Sequence, residues 1–130
     1  MSRGTIYEVD GKALRMVYTV GVMGDANDKF GTVSDTLASI DGDKKESVLN
    51  LCWLAARLAE EGELIRRDEG YDAEPIWTHS RLTRSVRPAD YPQLKSAVVD
   101  AMVAGFARDI TDGKDVDLGL MKLEKKKETE

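Results

Sequence analysis

The sequence predicts an α+β fold that is mainly α: an N-terminal β-hairpin followed by about four helices, with two long helices packed together. Three observations carry that expectation. Asp10-Gly11 separates two short runs with β-branched and aromatic residues, TIYEV and KALRMVYTV, and such a dipeptide supplies the positive φ angles of a tight hairpin turn. From Val20 onward apolar residues recur at spacings of three and four, the period of a helix. Glycines and prolines at 31, 42, 70, 75, 88 and 92 interrupt that pattern, as helix ends and loops require.

The elements follow in order. Strands are expected near 4–9 and 12–18, with Ile6 and Glu8 on one side of the first and Tyr7 and Val9 on the other, so it is only weakly one-sided and suits an edge. Val20, Met23, Asn27 and Phe30 mark a helix that Gly31 would cap. VSDTLASI can form a short helix, with Thr32 or Ser34 as its cap and Val33, Leu37 and Ile40 on one side. After the turn Asp41-Gly42-Asp43, the pair Asp43 and Glu46 resembles a capping box, which starts a long helix over 44–68. Gly70, Asp72 and Pro75 make a loop, Thr78 to Val86 a short helix, and Pro92 opens the last long helix, to about Asp109. One domain over 1–110 is expected, followed by a charged, flexible tail over 111–130 with a brief apolar anchor at Leu118, Leu120 and Met121.

Composition narrows the function. A chain of 130 residues, 42% hydrophobic, can build one modest core. Its net charge of −5 disfavours a general electrostatic grip on nucleic acid or anionic lipid. No apolar run approaches the ~20 residues needed to span a bilayer, and Met-Ser-Arg-Gly lacks the apolar stretch of a signal peptide, so a cytoplasmic protein is expected. The single cysteine, Cys52, excludes an internal disulfide and a cysteine-based zinc site.

Both long helices carry more apolar surface than one core face uses. At ~100° per residue, Val48, Leu51, Cys52, Ala55, Leu58, Ala59 and Gly62 form one stripe, and Leu49, Trp53, Ala56 and Leu64 a second, beside a polar wedge of Asn50, Arg57 and Glu61. On the last helix Leu94, Ala97, Val98, Ala101, Met102 and Gly105 form one face, and Val99, Val103, Phe106 and Ile110 another. The small residues Ala55, Ala59 and Gly62, and Ala97, Ala101 and Gly105, would let the two helices approach closely. The second stripes are either covered by the hairpin and short helices, or left for a partner or another copy of the chain. In the latter case Leu49, Trp53, Leu64, Val99, Val103 and Phe106 are the candidate partner-binding residues, with Trp53 and Phe106 as anchors.

Chemistry finds little support. Cys52 lies mid-helix on the core face, where a small buried hydrophobe is the expected role. His79, the only histidine, reads as an exposed loop or cap residue, and DGDKKE lacks the ligand spacing of a calcium loop. Neither GxxxxGK[ST], GxGxxG after a strand nor GxSxG occurs. No catalytic activity, cofactor or metal is expected. WTHSRLTRSVRP gathers Arg81, Arg84 and Arg87 beside an aromatic, and a solvated or acid-paired face is its simplest reading.

Taken in order, these landmarks resemble the small tail assembly chaperones of long-tailed phages and prophages. The likeness runs from about Ile6 to Ala107. VDGKALRMVYTV is similar to their opening hairpin, NDKFGTVSDTLASI to a short helix ending in an aromatic-glycine pair, and LCWLAARLAEEGELIRRDEG to a helix of the type "WLLA.L...G". A Pro-containing linker ending in Thr leads to a short helix, and YPQLKSAVVDAMVAGFARDI matches a closing "L..Av..A...G" helix. The basic SRLTRSVRP departs from the acidic residues usual before that last helix. The resemblance implies a noncatalytic chaperone of the bacterial host cytoplasm, absent from the mature virion. It would bind the tape measure protein, keep it soluble and help recruit the tail tube protein. The alternative is a small helical adaptor or regulator that contacts nucleic acid through its local arginines.

Overall fold

A computed structural model of the chain describes residues 4–107. The expected tail, with Leu118, Leu120 and Met121, lies outside the described residues, as do 108–110 and Ile110 of the last apolar face. Among the described residues an antiparallel hairpin precedes five α-helices, one at each helical segment the sequence marks, so the fold is α+β and mainly α. Strands β1 (Gly4–Val9) and β2 (Lys12–Val17) pair with Val9 opposite Lys12 and Tyr7 opposite Leu14. Asp10 and Gly11 both have positive φ, 52° and 75°, as a two-residue hairpin loop demands. Val9, Leu14 and Met16 face the core while Ile6 and Glu8 are exposed, so the expected alternation holds.

Helix α1 (Val20–Phe30) is capped by Thr19, whose hydroxyl accepts from the Val22 N–H, and Gly31 follows it at φ 112°. Its fully buried residues are Val22 and Ala26, which the expected stripe lacked; of that stripe Met23 packs against the core and Phe30 is half-buried, whereas Val20 is 80% exposed and Asn27 is exposed. Arg57 of the long helix pairs with Asp25 of α1 at 2.7 Å. Helix α2 (Val33–Ser39) begins at Thr32, not Ser34, with a full capping box between Thr32 and Asp35. The expected box at Asp43 and Glu46 does not form, because α3 (Lys45–Asp68) starts from Lys44 with no side-chain cap. An acid in the first turn, Glu46, still favours the helix dipole without that reciprocal bond.

Helix α3 is the spine of the fold. Leu51, Leu54, Ala55 and Leu58 are fully buried, each leucine contributing ~1.5–3 kcal/mol of apolar burial. Leu54 belongs to neither expected stripe and Ala56 of the second stripe is buried, so the core face is wider than the periodicity suggests. Its polar wedge is used internally: Asn50 donates to the Ser39 carbonyl, and Arg57 pairs with Asp25 of α1 and Glu61. After a segment over 69–78 come α4 (His79–Ser85), capped by Thr78, a 3-10 turn at Pro88–Asp90 and α5 (Tyr91–Phe106). Helix α5 ends at Phe106, short of Asp109, because Ala107 is already extended.

The hairpin lies across both long helices, β2 chiefly against α3 and β1 against α5, and the helices also touch each other. The small residues serve this arrangement in an unexpected way. A Cβ at Gly62 would overlap the Arg15 carbonyl oxygen, and one at Gly105 would come within 2.6 Å of the Tyr18 carbonyl oxygen. These glycines admit the hairpin backbone and its continuation rather than the facing helix.

Candidate binding groove

The first half of α3 and the chain from α4 to α5 enclose an apolar groove of about 500 Å³. Val48, Leu49 and Cys52 form one wall; Val86, Pro88 and Tyr91 form the other, with Asp43 and Arg87 among the polar lining residues. Its shape follows from local sequence. Pro88 disfavours helical backbone at the residue before it, and Arg87 is extended (ψ 151°); Val86 is extended as well (ψ 126°), and α4 stops at Ser85. The chain then crosses to α5 and leaves Val86 and Pro88 beside α3.

Polar contacts anchor Tyr91 beside the groove. The Tyr91 hydroxyl donates to the Gly42 carbonyl at 3.0 Å, and Lys95 pairs with Asp41. Together they tie the start of α5 to the turn between α2 and α3. The hydrogen bond from Lys95 and its charge hold the Asp41 carboxyl below its usual range, and burial raises the Tyr91 hydroxyl.

Of the six expected partner-binding residues, only Leu49 lines this groove. Trp53, one turn further along α3, is half-buried: the Phe30 ring meets it edge-on at 5.6 Å and the Lys29 ammonium lies 5.2 Å from its centre. Leu64 is exposed near the far end of α3. Val99 and Phe106 pack against the core from α5, with the Phe106 ring 5.7 Å from that of Tyr18, and Val103 is half-buried. The expected strip is therefore divided among several sites. Sequence reasoning missed Val86, Pro88 and Tyr91 as groove residues and gave Val48 and Cys52 to the core alone. The available signal was the apolar spacing of Val86, Pro88 and Tyr91 within a segment that drew attention for its arginines.

Those arginines do not share one cavity. Arg87 lines the groove, while Arg81 lies over the Trp77 ring at 3.9 Å and faces a different pocket. Arg84 is exposed. His79 is half-buried rather than exposed, as the first residue of α4, and its Nε2 has no hydrogen-bond partner among the described residues.

Cys52 is the one thiol in the groove wall. Burial pushes its pKa up, which disfavours the reactive thiolate at neutral pH. Among the described residues no group of three or more His, Cys, Asp or Glu side chains is placed to hold a metal ion. Nor is any helix there long and apolar enough to cross a membrane.

The second half of α3 has a different environment. Glu63, only 6% exposed, accepts from the Glu74 backbone N–H at 2.7 Å and from Arg67 Nε at 2.9 Å, with Arg66 at 3.8 Å. The Glu74 hydrogen bond is the chief cause holding its carboxyl below the usual range, with both arginines adding to it. Arg15 and Arg66 in turn hold the Glu74 carboxylate at 2.9 and 3.3 Å. This ion-paired latch fastens the 74–77 segment over α3.

Comparison of the chain with family models, with curated proteins and with solved structures gave no match.

Proposed function

We propose that the chain is a noncatalytic tail assembly chaperone of a phage or prophage, which holds apolar side chains of the tape measure protein in the groove between α3 and α4. The observation that carries this reading is the open apolar groove walled by Val48, Leu49, Cys52, Val86, Pro88 and Tyr91. A helical client can lay the residues of one apolar stripe into such a groove. The acidic body, with a net charge of −5, keeps the loaded complex soluble. The landmarks from the Asp10-Gly11 hairpin to the closing helix supply the family to which the client belongs. Assistance in tail tube assembly, release before the virion matures and action in the host cytoplasm come with that resemblance. The separation of Arg81 from Arg87 favours a protein client over nucleic acid, since phosphate binding gains most from cations gathered along one surface.

Co-expression with tape measure fragments tests the reading. Leu49→Asp and Val86→Asp each place a charge in the apolar wall, and each should lower co-purification at least about tenfold, equivalent to ~1.4 kcal/mol, with the circular dichroism spectrum retained. Normal capture by both variants would remove the groove as the client site. Failure of the unaltered chain to bind any tape measure fragment would remove the chaperone reading itself.

A further inference from the structure

A second pocket, of about 330 Å³, lies on the opposite half of α3, between the start of β2 and the 74–81 segment. Lys12, Ala59, Glu63, Glu74, Trp77 and Arg81 are among its lining residues. We infer that this pocket binds a carboxylate group of a ligand, held between Lys12 and Arg81.

The argument is one of charge accounting within a built cavity. Both carboxylates of the lining are already satisfied. Glu63 is held by Arg67, Arg66 and the Glu74 N–H, and Glu74 by Arg15 and Arg66. Lys12 and Arg81 also face the cavity, and among the described residues neither has a carboxylate within ion-pair distance. Two cations therefore remain where the neighbouring acids have no free charge to offer them.

The placement of Arg81 adds direction. Its guanidinium lies on the Trp77 ring at 3.9 Å, so one face is occupied and its N–H edge stays available, the edge that matches a planar carboxylate. Trp77 is only 7% exposed, which gives that guanidinium a rigid seat and lowers the entropy lost on binding. The ion-paired latch fixes the opposite wall in the same way.

A carboxylate suits the pocket better than a phosphate. A phosphate dianion would bring two charges on one group close to Glu63 and Glu74 as well as to the two cations, and the second charge raises that repulsion. A carboxylate brings one charge and a planar shape. It can come from a free small acid or from an acidic side chain of a polypeptide, and this assignment is independent of the apolar groove.

Titration of the full chain in 150 mM salt tests it, with the Trp77 indole N–H resonance as the reporter. The probes are succinate, a capped tetraglutamate peptide and inorganic phosphate. A saturable shift with succinate or the peptide is expected, weakened at least tenfold by Arg81→Ala and at least threefold by Lys12→Ala, and unchanged by Arg84→Ala. Lys12 is exposed on the hairpin, so its variant decides the matter even if Arg81→Ala disturbs packing around Trp77. Tighter binding of succinate assigns a free acid, and tighter binding of the peptide assigns an acidic polypeptide. Shifts that never saturate, equal weakening by Arg84→Ala, insensitivity to Lys12→Ala, or a preference for phosphate over both carboxylates would each overturn the inference.

Discussion

The two halves of α3 bury their surfaces by different means. Toward its C-terminus the helix is covered by β2 and by the 74–77 segment, with Gly62 against the Arg15 backbone and Glu63 fully engaged by Glu74, Arg66 and Arg67. Toward its N-terminus Val48, Leu49 and Cys52 face a groove with few polar groups in its walls. A buried carboxylate must find partners within the chain, because leaving it unpaired is costly. Apolar surface has no such requirement. It can remain open at a cost of ~25 cal/mol per Å², and that cost is what a partner recovers on binding. One half of the helix is therefore completed by its own fold, and the other leaves apolar surface open, where the proposed client would bind.

The sharpest way to break the closed half is to add volume where β2 crosses. Gly62→Val should destabilise the protein by about 3 kcal/mol or more, the upper range for overpacking a filled interior, because the obstacle is backbone rather than a side chain that can rotate. Gly24→Ala is the control. Nothing lies within 4 Å of a Cβ at that helical position, so the better helix propensity of alanine should stabilise by ~0.5–1 kcal/mol. Thermal or urea unfolding reads both. If Gly62→Val were as stable as the parent, the hairpin would not be seated on that part of α3.

The latch is the next largest effect. Glu63→Gln removes the charge that Arg66 and Arg67 face and should cost ~1–2 kcal/mol at pH 7, reduced from a fully buried pair by the partial exposure of Arg67. The pH dependence has a definite sign. Because the Glu63 carboxyl is held below its usual range when folded, its contribution is complete above the unfolded value of about pH 4–5. It is lost as pH falls through the lower, folded value. The stability gap between parent and Glu63→Gln should thus be widest near neutrality and narrow as the solution is acidified below pH 4. A gap that grew on acidification would contradict the ion-paired latch.

The closed half was also the harder one to read from sequence. The hairpin at Asp10-Gly11, the extent of α3 and its main buried stripe follow from turn chemistry and local period, which neighbouring residues determine. The Glu63 contacts reach across to Glu74, and the use of Gly62 by β2 reaches back to Arg15. Such pairings depend on tertiary distance, for which a single sequence has no periodic signal. The same limit explains the capping box: Asp43 and Glu46 had suitable spacing, but Thr32 and Asp35 adopted the geometry. In the groove, Leu49 was legible as surplus apolar surface, whereas its opposite wall of Val86, Pro88 and Tyr91 required the path of the chain after α4.

The open half is sharpened by the smallest stability effect. Leu49 is 36% exposed, while Leu51, two residues along the same helix, is fully buried. Leu49→Asp should therefore change unfolding free energy by no more than ~0.5 kcal/mol, the range of surface substitutions, and urea denaturation would measure it against the parent. Leu51→Ala should cost ~2–5 kcal/mol by cavity formation. Near-equal losses would mean that the groove wall belongs to the core and has no capacity left for a client. A stable Leu49→Asp that no longer binds would locate that capacity on the first half of α3, because a residue can be removed from a binding surface at little cost to the fold only where the fold does not already use it.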